Sequence, residues 1–331
     1  MIRCPAVLLR SSLALICLFA LAAGNVTRAA AQSYPARSIK LVVPFGPGGP
    51  TDVSARIVAQ VVQAGLGTSV VIENRPGAGG AIGTKSVANA DPDGATLLIG
   101  TSATLGVVPA LVKNPGYDPI KSFAPVAKVA DSTLVLVVPA NFPANSVQEF
   151  VAHAKANPGK LAYSSAGFGS FSHLGGAMFT SRAGIELLHV PYKGAFPAVQ
   201  ALLSDQVQVY VGNFAELHPL VEAGKLRLLA VAARERLAQT PDLPTIAETL
   251  PGFQMAGWQG LLAPARTPPP IVSRLEQQAI AAARSPSAIA RLRNLSVTAV
   301  GSTAAEFVES IRKDIELYQR VTKAAGLEKQ N

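Results

Sequence analysis

Short apolar runs alternate with helix-period patterns along most of this chain. Ile39–Val43 is an apolar run of strand length, and Val53, Ile57, Val61 and Ala64 then recur at helical spacing until Gly65-Leu66-Gly67 interrupts them. The same alternation predicts strands over 69–72, 96–99, 134–138, 161–164, 186–190, 207–211 and 226–231. Helices are predicted over 81–89, 172–183, 195–203 and 215–223, and Ser146 with Glu149 three residues on has capping-box spacing. Asp91-Pro92-Asp93-Gly94 is a turn, because proline presets φ and glycine supplies a positive φ. After residue 244 a strand over 255–262 leads into a proline cluster; helices over 271–284 and 304–324 then flank a strand over 297–300. Strands that alternate with helices predict an α/β fold of mostly parallel sheets covered on both faces. A chain that leaves one lobe near 131 and returns near 250 would cross twice and form a hinge.

The turn Pro44-Phe45-Gly46-Pro47-Gly48-Gly49-Pro50-Thr51-Asp52 lies between the first strand and the first helix. A glycine-rich turn of this kind gathers backbone N–H groups at the positive end of a helix dipole, which suits an anion. No phosphate-loop lysine, nucleophile or metal cluster accompanies it. The turn is suited to holding a negative group, not to reacting with it.

Composition decides the compartment. Arg3 and Arg10 precede an uncharged apolar run over residues 11–23, and Ala29-Ala30-Ala31 stands before Gln32, the pattern of a secretory leader over 1–31. That run is shorter than the roughly 20 residues a membrane span needs. Both cysteines, Cys4 and Cys17, lie in the leader, so the mature chain is expected to carry no thiol, disulfide or cysteine-bound metal. Removing Arg3, Arg10 and Arg28 with the leader lowers the formal charge from +9 to +6 over 300 residues. No Lys/Arg run appears and aromatics are sparse, which excludes a nucleic-acid footprint but suits anionic ligands.

Further segments carry a resemblance. Tyr34-Pro35-Ala36-Arg37-Ser38-Ile39 leads into the glycine turn, and Glu73-Asn74-Arg75-Pro76-Gly77-Ala78-Gly79-Gly80 follows. Then come Tyr117-Asp118-Pro119, Ser172-His173-Leu174, His189-Val190-Pro191-Tyr192-Lys193-Gly194 and Gly257-Trp258-Gln259-Gly260-Leu261-Leu262-Ala263-Pro264. In this order they resemble the Bug-type receptors, the extracytoplasmic substrate-binding proteins of tripartite tricarboxylate transporters. The resemblance implies a type II periplasmic-binding-protein fold: two α/β lobes with a hinge of two crossover strands. Residues 32–131 with 250–331 would form one lobe and 132–249 the other. It implies a monomer in the periplasm, without a cofactor, that captures a small carboxylate and delivers it to inner-membrane permease subunits.

By the family's pattern Phe45, Gly48, Gly49 and Asp52 would line the first lobe, with Ser102, and Ser165, Gly167, Ser170, His173 and Asn213 the second. Ser170 or Ser172 sits where the next helix should be capped, so a second helix N-terminus would face the first across the cleft. Asp52 serves equally as an N-cap or a ligand contact, and His173 as a packed or ligand-facing histidine. Lys193 reads as a solvated loop lysine, and Trp258 as packing between the lobes. One departure is informative: Gly212 stands before Asn213 where many relatives have an aspartate, which in some can meet a ligand amine. Its absence favours a di- or tricarboxylate or an aromatic acid over an amino acid.

Enzymatic signatures are missing. G-x-S-x-G, G-x-G-x-x-G and the Walker A pattern are absent, and His153, His173, His189 and His218 lack zinc spacing. A ligand-binding sensor that presents its bound form to a membrane kinase shares every feature above and is the alternative; an exported enzyme is a distant third.

Overall fold

The computed structural model describes residues 34–35, 37–233, 235–237, 240–294, 297–324, 326–327 and 329. Everything below concerns the unit Arg37–Asn331. The leader expected over 1–31 lies outside the described residues.

The first half runs β1 (Ile39–Val43), α1 (Pro50–Leu66), β2 (Val70–Asn74), α2 (Ala81–Ala88), β3 (Thr96–Thr101), α3 (Val108–Leu111), β4 (Phe123–Pro139) and α4 (Val147–Ala156). It continues through β5 (Ala162–Ser165), α5 (Phe171–Ala183), β6 (Leu188–Pro191), α6 (Ala195–Leu203), β7 (Val209–Asn213), α7 (Phe214–Glu222) and β8 (Leu226–Val231). Last come α8 (Ile246–Thr249), β9 (Ala256–Pro264), α9 (Pro269–Arg284), α10 (Pro286–Asn294), β10 (Val297–Ala299) and α11 (Ala304–Ala324).

Local chemistry explains the punctuation. Pro50 opens α1 at a position where its missing N–H costs nothing, and Gly67, at φ 66°, closes the helix with its N–H on the Gln63 carbonyl. Ser146 caps α4 by accepting from the Glu149 N–H at 3.1 Å, while the Glu149 carboxylate reaches back to the N–H of Asn145 at 2.7 Å.

The strands form one curled path, β2-β1-β3-β9-β4-β7-β5-β6, with β8 and β10 also paired to β4. Strand β1 is parallel to β2 and β3, and β5 is parallel to β6 and β7. The long strand β4 ties the two parallel groups together. Its residues up to Thr133 pair with β9, and from Leu134 on it pairs with β7 and β8. Register shifts at Pro125/Ala127 and Lys128/Ala130 bend its first half, where proline cannot donate to the ladder.

Apolar packing follows the same division. Val42, Leu98, Trp258, Leu262, Phe307 and Ile311 form one cluster around the first group of strands. Val135, Val137, Ala198, Tyr210 and Phe214 form another on one face of the second. The largest cluster runs from Val107 and Leu111 through Leu174 and Met178 to Tyr318 and Val321, so α3, α5 and α11 share a seam. Trp258 is buried edge-on against Phe307, 5.0 Å between centroids, and its indole N–H donates to Asp314 at 2.5 Å. The tryptophan expected between lobes therefore packs under α11 within the first cluster.

Candidate ligand-binding site

In parallel α/β arrangements the C-terminal strand edges carry the loops that bind ligands. Here β1 feeds the glycine turn and α1, while β5 feeds residues 166–170 and α5.

The first turn is held by one carboxylate. Gly49 is the N-cap of α1, so Asp52 is not the cap but stands in the first helical turn. Its buried carboxylate accepts from the Gly48 N–H at 3.0 Å, from Arg56 Nε at 2.9 Å and Nη2 at 3.2 Å, and from Asn74 Nδ2 at 2.9 Å. Asn74 Nδ2 also donates to the Phe45 carbonyl at 3.0 Å, so the end of β2 clamps both ends of the turn. Burial works against the Asp52 charge, but the bonds from Arg56, Gly48 and Asn74 outweigh it and hold the carboxyl below its usual range. Gly48 adopts φ 80°, in the region that favours glycine. Phe45 is half-buried, with its ring beside Gly80: a Cβ there would lie 3.3 Å from the ring tip.

The second loop is held by hydroxyl and imidazole groups. Ser170 is the N-cap of α5, its hydroxyl accepting from the His173 N–H at 3.2 Å. Ser172 Oγ accepts from the Ala166 N–H at 2.9 Å and lies 3.1 Å from Ser170 Oγ. Ser165 Oγ accepts from the Gly167 N–H at 3.2 Å and lies 2.7 Å from His189 Nε2. His173 stacks on His189 with centroids 4.3 Å apart, flanked by Phe168 on one side and Tyr163 on the other. Burial, with the neighbouring His189 charge, pushes His173 down to about 4, and burial does the same to His189. Both rings are neutral near pH 7. Any attraction for an anion at this loop therefore comes from N–H and O–H dipoles and the helix end, not from imidazolium charge.

The second loop approaches the loop that follows β2: a Cβ placed on Gly79 would lie 3.4 Å from the Gly169 carbonyl. Of the remaining residues singled out from sequence, Ser102 accepts from the Trp258 N–H at 3.3 Å. Asn213 caps α7 where β7 ends beside Leu134, and its N–H donates to Glu216 at 3.2 Å. Lys193 is exposed.

Gly212 is closely packed. A Cβ there would lie 2.0 Å from the Tyr210 ring and 2.8 Å from Glu216 Oε1. The place is not without an acid: Glu216 brings its carboxyl to it from α7, and Tyr210 fills the rest. Glu216, Tyr210 and Asn74 carry no local pattern that marks them; they are brought in from other elements. Among the described residues no group of three or more His, Cys, Asp or Glu is arranged to hold a metal.

Comparison with known proteins decides the family. Residues 54–327 match the model of the tripartite tricarboxylate transporter family receptor. The chain belongs to this receptor family. The solved periplasmic binding protein BugD superposes with a TM-score of 0.83 at 36% identity, over 90% of this chain and 100% of that one. A Rhodopseudomonas palustris protein solved with adipate superposes with a TM-score of 0.85 at 34% identity, over 90% of this receptor and 100% of that chain. MatC from the same organism, solved with bound malate, gives 0.81 at 34% identity over 87% and 99%. The family receptor thus has the α/β fold of the periplasmic binding proteins, and its neighbours are solute-binding proteins. Among its described residues no helix is long and apolar enough to cross a membrane.

Proposed function

We propose that this receptor captures a small carboxylate, without an enzymatic step, and delivers it to the inner-membrane subunits of a tripartite tricarboxylate transporter. In this reading residues 1–31 are a leader removed on export, 32–131 with 250–331 form one lobe, 132–249 form the other, and the ligand lies between them. The change of partners along β4 after Thr133 supports that division.

One observation carries the proposal: two helix N-termini, α1 after Gly49 and α5 after Ser170, each follow a glycine-rich turn that leaves the end of a parallel strand. Each helix end favours an anion by roughly 0.3–1 kcal/mol, or up to about 2 when partly buried. With hydrogen bonds of about 1 kcal/mol or more each, this is enough for micromolar capture near −8 kcal/mol. Phe45, Gly48 and Gly49 would form the first half of the site, with Asp52 as its brace; Ser165, Gly167, Ser170 and His173 would form the second, and Ser102 and Asn213 would flank them. The binding of adipate and malate by relatives favours dicarboxylates.

Ligand closes the lobes only as far as it binds the closed form more tightly than the open one. Calorimetric titration of the mature protein with mono-, di- and tricarboxylates tests the reading. Saturable binding of at least one carboxylate supports it. Failure of all of them, with clear binding of a sugar or a cation, overturns it.

A further inference from the structure

Helix α5 does not stand free behind the second loop. Its first residue, Phe171, directly follows the Ser170 cap, so the ring and the cap move together. The half-buried ring lies edge-on to Tyr318 of α11, at 88° with centroids 5.9 Å apart. It also lies over Gly257: a Cβ placed there would come within 3.1 Å of the ring and would collide with Ser132 Oγ. Gly257 pairs with Ser132, next to the last pair that β4 makes with β9 before it turns to β7 and β8. The ring at the start of α5 therefore rests against these two strands where they would cross between the proposed lobes.

Tyr318 is fixed from the other side. It is fully buried, and its hydroxyl donates to the Ala256 carbonyl at 3.2 Å. Its ring fills the space that Gly106 leaves open ahead of α3, where a Cβ would lie 2.5 Å away. Along the same seam Leu174 and Met178 of α5 share a cluster with Val107, Leu111 and Val321. One ring thus belongs to the proposed first lobe, and the other to the helix whose N-terminus would hold the anion. In this arrangement the Gly169 carbonyl also comes close to Gly79, so the ring contact belongs to a form in which the second loop is drawn toward the first lobe.

We propose that Phe171 and Tyr318 are positioning residues for anion capture: their contact sets where the N-terminus of α5 stands against that of α1, and so the share of receptor ready to bind. The inference rests on the carboxylate reading above. An anion gains from both helix ends only when both face it, and apparent affinity scales with the fraction of molecules in that arrangement. An edge-on aromatic pair is strong enough to shift such an equilibrium about two- to tenfold.

The test titrates the mature protein calorimetrically with succinate, malate and adipate at pH 7. Phe171→Leu keeps an apolar side chain but removes the ring, and should weaken binding about two- to tenfold with the stoichiometry unchanged. Tyr318→Leu should do the same. The double variant should be no weaker than the weaker single one, because either change removes the same contact. Tyr318→Phe keeps the ring, loses only the bond to Ala256, and should bind as the wild type does. A purely structural role would lower the urea midpoint of these variants and leave the affinity of the folded protein where it was. Tyr318→Leu opens a cavity in the core; if it does not fold, Phe171→Leu alone decides. Unchanged or tighter binding by Phe171→Leu overturns this inference alone. So do single losses that multiply in the double variant, or a loss in Tyr318→Phe as large as in Tyr318→Leu. Failure of every probe with the wild-type protein removes the carboxylate reading, and this inference with it.

Discussion

Replacing Asp52 with alanine separates a turn that recognises from one that merely connects. The carboxylate accepts from Gly48, Asn74 and twice from Arg56, and its residue is 2% exposed. Arg56 is half exposed and can return to water, so that pair contributes about 0–1 kcal/mol. The bonds from Gly48 and Asn74 are charge-assisted, worth about 1.5–3 kcal/mol each. Gly48 is exposed and rehydrates, and Asn74 keeps the Phe45 carbonyl, so the expected loss of stability is nearer about 2–3 kcal/mol than the sum. The turn then loses its brace, and reordering it on binding costs roughly 1–2 kcal/mol, a 5- to 30-fold loss of affinity. Urea unfolding gives the first quantity and calorimetry with a bound dicarboxylate the second. Because the Asp52 carboxyl is held low, the stability difference is fully present above its ordinary value of 3.8 and shrinks as pH falls below it. A variant that is destabilised yet binds with unchanged affinity would refute the bracing role and leave Asp52 a structural residue.

Two further outcomes are expected. His173 and His189 titrate near 4 instead of 6.5, so the unfolded chain takes up protons before the folded one, and stability falls as pH drops from 6.5 toward 4. The loss is at most about 3 kcal/mol per ring, shared because the rings stack; urea midpoints at pH 7 and 4.5 should shift about half as much in His189→Gln, and equal shifts would contradict the assignment. Gly260→Ala places a Cβ 2.1 Å from the ring of Phe307, which is fully buried, and should cost about 1–3 kcal/mol or more by overpacking; a melting temperature equal to wild type would contradict it.

Much of the fold was legible because periodicity is local. Ile39–Val43, Ala195–Leu203, Leu226–Val231 and Ala304–Ala324 have the bounds that their apolar spacing predicts. Two elements were missed for reasons that are also local. The first half of β4 reads as a loop because Pro125 and the polar Lys128, Asp131 and Ser132 break its apolar run; long-range pairing with β9 makes it a strand. No element is predicted between 284 and 297, whereas Pro286 starts α10, proline being as suited to the first turn as it is hostile to the interior. The site divides in the same way. The glycine turns and the Ser170 cap announce themselves within a few residues. Asn74 lies 22 positions from the carboxylate it supports, and nothing near it in sequence signals the partnership. Glu216 was hidden by its neighbour: Gly212 reads as a missing acid until the backbone shows another carboxyl reaching the same place.

The two halves of the proposed site are built from different chemistry, and this bears on where selectivity would reside. The first turn is tied by an ion pair and amide donors around Asp52, whose carboxyl stays charged throughout the neutral range. Its geometry is therefore indifferent to pH, and a backbone nest of this kind accepts almost any carboxylate. The second loop is tied by Ser165, Ser170 and Ser172 and by two neutral imidazoles, groups that both donate and accept and can turn with the ligand. In the proposed site the first turn would anchor one carboxylate as a fixed anion nest, and the adjustable hydroxyls of the second loop would judge the length, shape and protonation of the rest of the molecule.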